Sequence, residues 1–276
     1  MAISDQERLA RLVVSPENAR VKRLRRASRS SSFRVDESLV ILEGRKVLFD
    51  IVEGDVELEC VFIDETALDS ELSQLARSCE QRGIWVGVVD SKLVNEVSDL
   101  KTPSGVLGLA KRPSGGFEEI LACQVVLALD GVQDPGNVGT LIRSARSVGG
   151  VGVICGLGTA DPFSPKSLRA SAGTVMSTKV CSVTDLASAL QSARDDRGFE
   201  LVGLDAGAPS SLWDQHFSDK VVLLVGSEGS GIAQEQRAIL DRMVSIPIDA
   251  GVESLNVAIS GSIALFELQR QRYRVL

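Results

Sequence analysis

Histidine is nearly missing from this 276-residue chain, with His216 the one copy. A paired-histidine metal site is thereby excluded, and a Ser-His-Asp or Cys-His mechanism would have to hang on that single residue. Cysteine offers no framework either. Cys60, Cys79, Cys123, Cys155 and Cys181 are widely spread, odd in number and without a C-x-x-C pair, which argues against disulfides or zinc and for reduced, buried thiols in a cytosol-like compartment. No metal is expected. No apolar run approaches the roughly 18 to 20 residues that span a bilayer, and the opening MAISDQERLA lacks the apolar core of a secretory signal. A cytoplasmic protein with no membrane partner is therefore expected. Residues 1 to 35 share the Arg and Ser content of an organellar transit peptide, which keeps mitochondrion or chloroplast as alternatives for a eukaryotic source. Asp5, Glu7, Glu17 and the periodic apolar positions favour a folded segment there. There is no Gly-Lys dipeptide for a P-loop, and Gly156-Leu157-Gly158 is only a fragment of a dinucleotide fingerprint.

What is present is ordinary globular composition, 44% hydrophobic and 24% charged, enough for one large or two small domains. The net charge of −7 speaks at first against a nucleic-acid partner. Distribution matters more than the sum. Arg20, Lys22, Arg23, Arg25, Arg26, Arg29 and Arg34 crowd one short stretch beside Glu17. A solvated helix face and a contact to an RNA backbone both fit.

Periodicity predicts a basic helix over 17 to 29 and a polar break at Ser30-Ser31-Ser32. Short buried strands follow at 38 to 44, 60 to 64, 84 to 89 and 105 to 112, separated by helical patterns at 45 to 53, 66 to 82 and 91 to 97. Pro113 and the Gly115-Gly116 pair interrupt both periodicities, so a boundary is expected there, between a unit at 1 to 114 and one at 115 to 276. In the second unit VVLALD, GVGVIC, KVCSV, FELVGLD, KVVLLVG and MVSIPI read as strands. Helices are expected near 137 to 148, 165 to 173, 185 to 196, 233 to 241 and 256 to 272. Continuous Val/Leu/Ile strands between amphipathic helices are what a parallel sheet covered on both faces requires, which makes the chain α/β.

Three segments of that second unit run from apolar strand through a polar, Gly-rich turn toward a helix: LALDGVQDPGNVGTLIRSA from 127, VVLLVGSEGSGI from 221, and VSIPIDAGVESLN from 244. Orphan N–H groups and side-chain hydrogen-bonders at such turns form a binding-site arrangement. In order and spacing the segments resemble the three motifs of the TrmH/SpoU branch of the SPOUT methyltransferases, RNA ribose 2′-O-methyltransferases. The first motif carries Asn137 and Arg143, the second is Gly226-Ser227-Glu228-Gly229, and the third joins Ile246-Pro247 to Ser254-Leu255-Asn256. One departure is Ala250, where the family places the turn glycine that here stands at Gly251.

The resemblance implies a C-terminal SPOUT domain with a trefoil knot and an N-terminal L30e-like substrate-binding domain. It implies S-adenosyl-L-methionine as cofactor, held at Gly226, Ile246 and Leu255, with Asn137, Arg143, Glu228, Ser254 and Asn256 as the catalytic set. It also implies a homodimer to which the apolar helix 256 to 270 contributes. The expected substrate is structured RNA, ribosomal ahead of transfer RNA, contacted by Arg20, Lys22, Arg23, Arg25 and Arg26 and, on a further family-like loop, by Lys166 and Ser171. A ribose 2′-hydroxyl is a weak acid, so the site must favour its alkoxide. The family's arginine, here Arg143, is proposed to take the proton, yet a guanidinium pKa above about 12 makes oxyanion stabilisation the easier role. A noncatalytic RNA-binding or assembly protein on the same fold is the competing reading, and the intact five-residue set argues against it.

Overall fold

The computed structural model describes residues 13–113 and 115–273, which divide into two compact units, Met1–Pro113 and Ser114–Leu276. In the first, helix α1 (Ala19–Arg29) starts where the Asn18 side chain accepts the Arg20 N–H at 2.8 Å. Its buried stripe is Val21, Leu24 and Ala27, three and six residues apart as one helix face requires. The expected break falls at Ser30 alone, whose extended backbone (φ −132°, ψ 110°) ends α1. Ser30 caps a second short helix, α2 (Ser31–Asp36), by accepting the Phe33 N–H at 3.1 Å, the capping use of serine that ends one helix and opens the next.

Beyond it lie β1 (Leu39–Glu43), α3 (Arg45–Glu53), β2 (Leu58–Asp64), α4 (Ser70–Gln81), β3 (Trp85–Val89), α5 (Ser91–Val97) and β4 (Val106–Lys111). The helix expected over 66 to 82 begins at Ser70, because the Asp69 carboxylate accepts the Leu72 N–H and fixes the N-terminus there. The four strands form a mixed sheet in the order β1-β4-β2-β3, with β4 antiparallel to both neighbours. Burial pushes the Cys60 thiol up to about 12 and the Cys79 thiol to about 11, as befits inert core thiols.

The second unit runs through α6 (Phe117–Leu121), β5 (Val125–Asp130), α7 (Pro135–Val148), β6 (Val151–Cys155), α8 (Pro165–Ala170), β7 (Val180–Ser182), α9 (Leu186–Arg197), β8 (Glu200–Leu204), β9 (Ser210–Ser211), β10 (Val221–Gly226), α10 (Gln234–Arg237), β11 (Arg242–Ser245) and α11 (Val257–Tyr273). Its seven strands are all parallel, in the order β7-β6-β5-β10-β8-β11-β9. The central strands β5 and β10 are buried almost throughout, which is why they read as unbroken apolar runs rather than as alternation. The helix expected over 233 to 241 shrinks to four residues, and β11 ends before Pro247, which has no N–H for the ladder. Order reverses at β5, whose neighbours are β6 on one side and β10 on the other, and α/β sheets place ligands at the carboxyl ends of strands near such points.

Candidate active site

A cleft of about 460 Å³ opens at the carboxyl ends of β8, β10 and β11, against the N-terminus of α11. Its wall comes from all three strand ends: Leu204, Asp205 and Ala206 after β8; Val225, Gly226, Ser227 and Glu228 after β10; Ile246 and Ile248 after β11. Ser254, Leu255, Asn256, Val257 and Ser260 close it from the helix side. The cofactor residues expected from sequence, Gly226, Ile246 and Leu255, all line this space, as do Glu228, Ser254 and Asn256.

Local chemistry explains the turns. Ser227 and Gly231 exchange two backbone hydrogen bonds at 3.0 Å, folding the β10 turn back on itself. Gly231 sits at φ +67°, and a Cβ on Gly226 would lie 2.1 Å from the Gly231 carbonyl carbon, so both positions need glycine for the turn itself. At the third turn Asp249 accepts the Gly251 N–H at 2.9 Å and its carbonyl accepts that of Val252. Neither Ala250 nor Gly251 has positive φ, so an alanine at 250 is accommodated without strain.

One hydrogen-bonded chain ties the three turns together. The Asn137 Nδ2 donates to Glu228 Oε1 at 2.7 Å, and the Asn256 Nδ2 donates to Asn137 Oδ1 at 3.1 Å. Asn256 Oδ1 meanwhile accepts the Ala258 N–H at 2.9 Å, opening α11. Burial alone would raise the Glu228 carboxyl, but the Asn137 amide and nearby backbone N–H groups outweigh it and hold Glu228 below its ordinary range. Asp134 opens α7 in the same way, accepting the Gly136 N–H, and its pairing with Lys166 at 2.9 Å holds its carboxyl low.

Arg143 stands apart from that chain. It is exposed on α7, is not among the residues lining the cleft, and its guanidinium makes no hydrogen bond or ion pair among the described residues. Six residues separate it from Asn137, about 9 Å along the helix axis, with the side chain tilted back toward the α7 N-terminus.

Two expectations about RNA contacts need correcting or refining. Ser171 is fully buried and its hydroxyl donates to the Leu168 carbonyl at 3.0 Å, so it locks the end of α8 and has no surface to offer RNA. The basic cluster is largely consumed within its own unit. Arg23 pairs with Glu37 at 2.9 Å and Glu59 at 3.4 Å, Arg25 and Arg29 both pair with Glu96, and Lys22 pairs with Glu17. Arg20 and Arg26 lie over the rings of Trp85 and Phe33, at 5.0 and 4.2 Å from their centroids, and remain exposed.

Sequence reasoning overlooked Asp205, which lines the cleft and whose carboxylate accepts the Gly207 N–H at 2.8 Å and pairs with Arg237. The signal was there in LVGLDAG, a fourth apolar strand running into a polar, glycine-containing turn.

The lining also tests what the cleft can hold. It contains two acidic residues, Asp205 and Glu228, no lysine or arginine, and seven aliphatic residues. S-adenosylmethionine is a net cation with a large apolar adenosyl group, and its size suits a cleft of this volume. A di- or triphosphate would meet carboxylates and no cation. Among the described residues no group of three His, Cys, Asp or Glu side chains is placed to hold a metal, and no helix is long and apolar enough to cross a membrane.

A parallel α/β domain with an acidic, aliphatic cleft at three strand-end turns is suited to holding a small organic ligand. Residues 124–266 match the model of the SpoU rRNA methylase family, and residues 18–108 match that of an MRM3-like substrate-binding domain. An uncharacterized tRNA/rRNA methyltransferase of Mycobacterium tuberculosis is 30% identical over 270 residues, covering 94% of this chain and 82% of the relative. Among solved structures, an S-adenosylmethionine-bound rRNA methyltransferase from Sinorhizobium meliloti is similar with a TM-score of 0.81 at 27% identity, covering 94% of this chain and 97% of the other. An RNA 2′-O ribose methyltransferase is similar with a TM-score of 0.79 at 26% identity, covering 95% and 99%. The chain belongs to the SpoU family of RNA methyltransferases, with the SPOUT-type parallel α/β fold and S-adenosyl-L-methionine as cofactor.

Proposed function

We propose that the protein methylates a ribose 2′-hydroxyl of structured RNA, with ribosomal RNA ahead of transfer RNA as the substrate. The observation that carries this reading is the Glu228–Asn137–Asn256 chain at the mouth of the cleft, with the unpaired guanidinium of Arg143 on the same helix as Asn137. The cofactor supplies an electrophilic methyl group; everything else falls to the chain. Gly226, Ile246 and Leu255 line the adenosyl space, through backbone groups and aliphatic packing. Glu228, ionised at neutral pH, orients the Asn137 amide, which in turn holds Asn256 and so fixes the third turn against the first.

Ser254 is exposed at the cleft wall and its hydroxyl makes no hydrogen bond among the described residues, so it is free to hold the ribose. Arg143 then stabilises the developing alkoxide by charge, a donor placed where negative charge appears in the transition state. Binding of the acceptor must bring the 2′-oxygen between the cleft and Arg143. The named relatives support the substrate class, one being a tRNA/rRNA methyltransferase and another a ribose 2′-O enzyme.

The assembly we propose is a homodimer. Ile259 and Phe266 on α11 are 52% and 48% exposed, and with half-buried Ile263 between them they form a stripe at i, i+4 and i+7 that a second copy would cover. Light scattering should return twice the monomer mass; a concentration-independent monomer would rule this out. Mapping 2′-O-methylated positions in total RNA from cells with and without the gene tests the activity. One site lost from ribosomal RNA is the expected result; no lost site in any RNA would leave the noncatalytic assembly reading in its place.

A further inference from the structure

We propose that the crossing of α7 and α8 is the surface along which the RNA backbone runs, with Arg146 on α7 and Arg169 on α8 as phosphate contacts. The inference rests on RNA being the substrate and adds the tract that aligns it.

The first ground is charge. Residues 135 to 182 carry Arg143, Arg146, Lys166, Arg169 and Lys179 against a single acid, Asp161, in a chain whose net charge is −7. Positive charge this concentrated in an acidic protein is an electrostatic footprint for polyanions.

The second ground is availability. Of the five cations only Lys166 is taken by an ion pair, with Asp134. Arg143 and Arg169 make no side-chain hydrogen bond or ion pair among the described residues. Among the described residues Arg146 meets only the neutral Ser177 hydroxyl, at 3.3 Å, and Lys179 only the Glu119 carbonyl, at 3.4 Å. Four of the five cations are therefore not taken up by a carboxylate among the described residues, and releasing counterions from phosphates is what such charges do.

The third ground is rigidity. A Cβ on Gly139 would lie 2.3 Å from the Ser167 carbonyl oxygen and 2.6 Å from the Ala170 Cβ, so the two helix backbones touch. The Ser167 hydroxyl donates to the Asp161 carbonyl at 2.8 Å and buried Ser171 to that of Leu168, which fixes the two ends of α8 on its own segment. Arg143 and Arg146 leave α7 one and two turns beyond Gly139, and Arg169 leaves α8 between its two contacts with Gly139. The cations are therefore carried by elements with fixed spacing, as a phosphate-reading surface requires. The same α7 opens with Asn137 at the cleft, so a strand following this tract would arrive at the methylation site.

The test compares wild type with the Arg146→Gln/Arg169→Gln double variant, binding an unmodified in vitro transcript of bacterial 23S ribosomal RNA across a salt series. Two lost phosphate contacts should weaken binding and flatten the slope of log affinity against log salt by about 1.4 to 1.8. Calorimetric S-adenosylmethionine affinity and the melting temperature should stay at wild-type values. Wild-type affinity and slope in the double variant overturn the tract, as does a changed mass by light scattering, which would place these arginines against a second copy. A wild-type protein that neither binds the transcript nor transfers labelled methyl to total RNA overturns the substrate reading itself, a different and separable result.

Discussion

Two basic regions of this molecule carry similar chemistry to opposite ends. Helix α1 and its neighbourhood hold seven cations within fifteen positions, yet four of them are paired to Glu17, Glu37, Glu59 and Glu96, Arg34 donates to the Ala27 carbonyl, and two lie over aromatic rings. The α7–α8 crossing holds fewer, and they have almost no carboxylate near them. The denser cluster serves largely to fasten α1 to its own unit; in the sparser one Arg143, Arg146, Lys166 and Lys179 are exposed and Arg169 is half-buried. What binds a polyanion is charge left over after the fold has used what it needs, and a count of Lys and Arg does not measure that.

The sharpest way to break the comparison is at Arg143, a cation without a partner among the described residues, on the helix that opens with Asn137. Arg143→Ala should lower methyl transfer by at least about 10² to 10³, the usual cost of one transition-state donor, with S-adenosylmethionine affinity within a few-fold of wild type. Single-turnover transfer on in vitro transcribed RNA measures the first and calorimetry the second. Surviving turnover would leave Arg143 as one more phosphate contact.

A smaller effect is expected from the paired cluster. Arg23→Gln/Arg25→Gln removes cations already bound to Glu37, Glu59 and Glu96, so its main result should be a loss of about 0.2–1 kcal/mol per ion pair in the stability of the N-terminal unit. The salt slope of RNA binding should move less than it does for the α7–α8 pair. An equal or larger change would return the RNA contact to α1. Arg20→Gln/Arg26→Gln is the informative companion, because those two guanidinium groups stay exposed and are held only by ring contacts.

The smallest effect is that of pH. Glu228 has a folded pKa below its ordinary value, so its contribution to holding the first and second turns is present above the unfolded value of about 4.3 and is lost as pH falls through the lower folded one. Cofactor affinity should accordingly be flat from about pH 6 to pH 8 and weaken only in acid, toward and below about pH 4. A midpoint near neutrality in a calorimetric pH series would mean that Glu228 is not held ionised by Asn137.

Much was legible before any coordinates. Short-range rules carried the strands of both units, because a buried parallel strand writes itself as an unbroken Val/Leu/Ile run and a capped helix announces its first residue. The polar, Gly-rich turns after three strands were legible in the same way, and the resemblance to the family's three motifs singled out Asn137, Glu228 and Asn256 within them. The serine run does end α1, and what its polarity does not reveal is the second short helix that Ser30 opens by accepting the Phe33 N–H.

Only the tertiary structure decided which polar groups had partners. Ser171 and Lys166 stand in the same loop sequence, yet one is sealed beneath the α7–α8 crossing and the other is exposed and paired to a carboxylate thirty-two positions away. Asp205 entered the cleft wall because β8 lies beside β10 in the sheet, an adjacency no local pattern records. The arginines of α1 look free in sequence because Glu59 and Glu96 are far along the chain, and they are neutralised because packing brings those carboxylates back. Residue type and local spacing set what each turn can do chemically; the long-range pairings, made only when the sheets close, set which of those groups are left to do it.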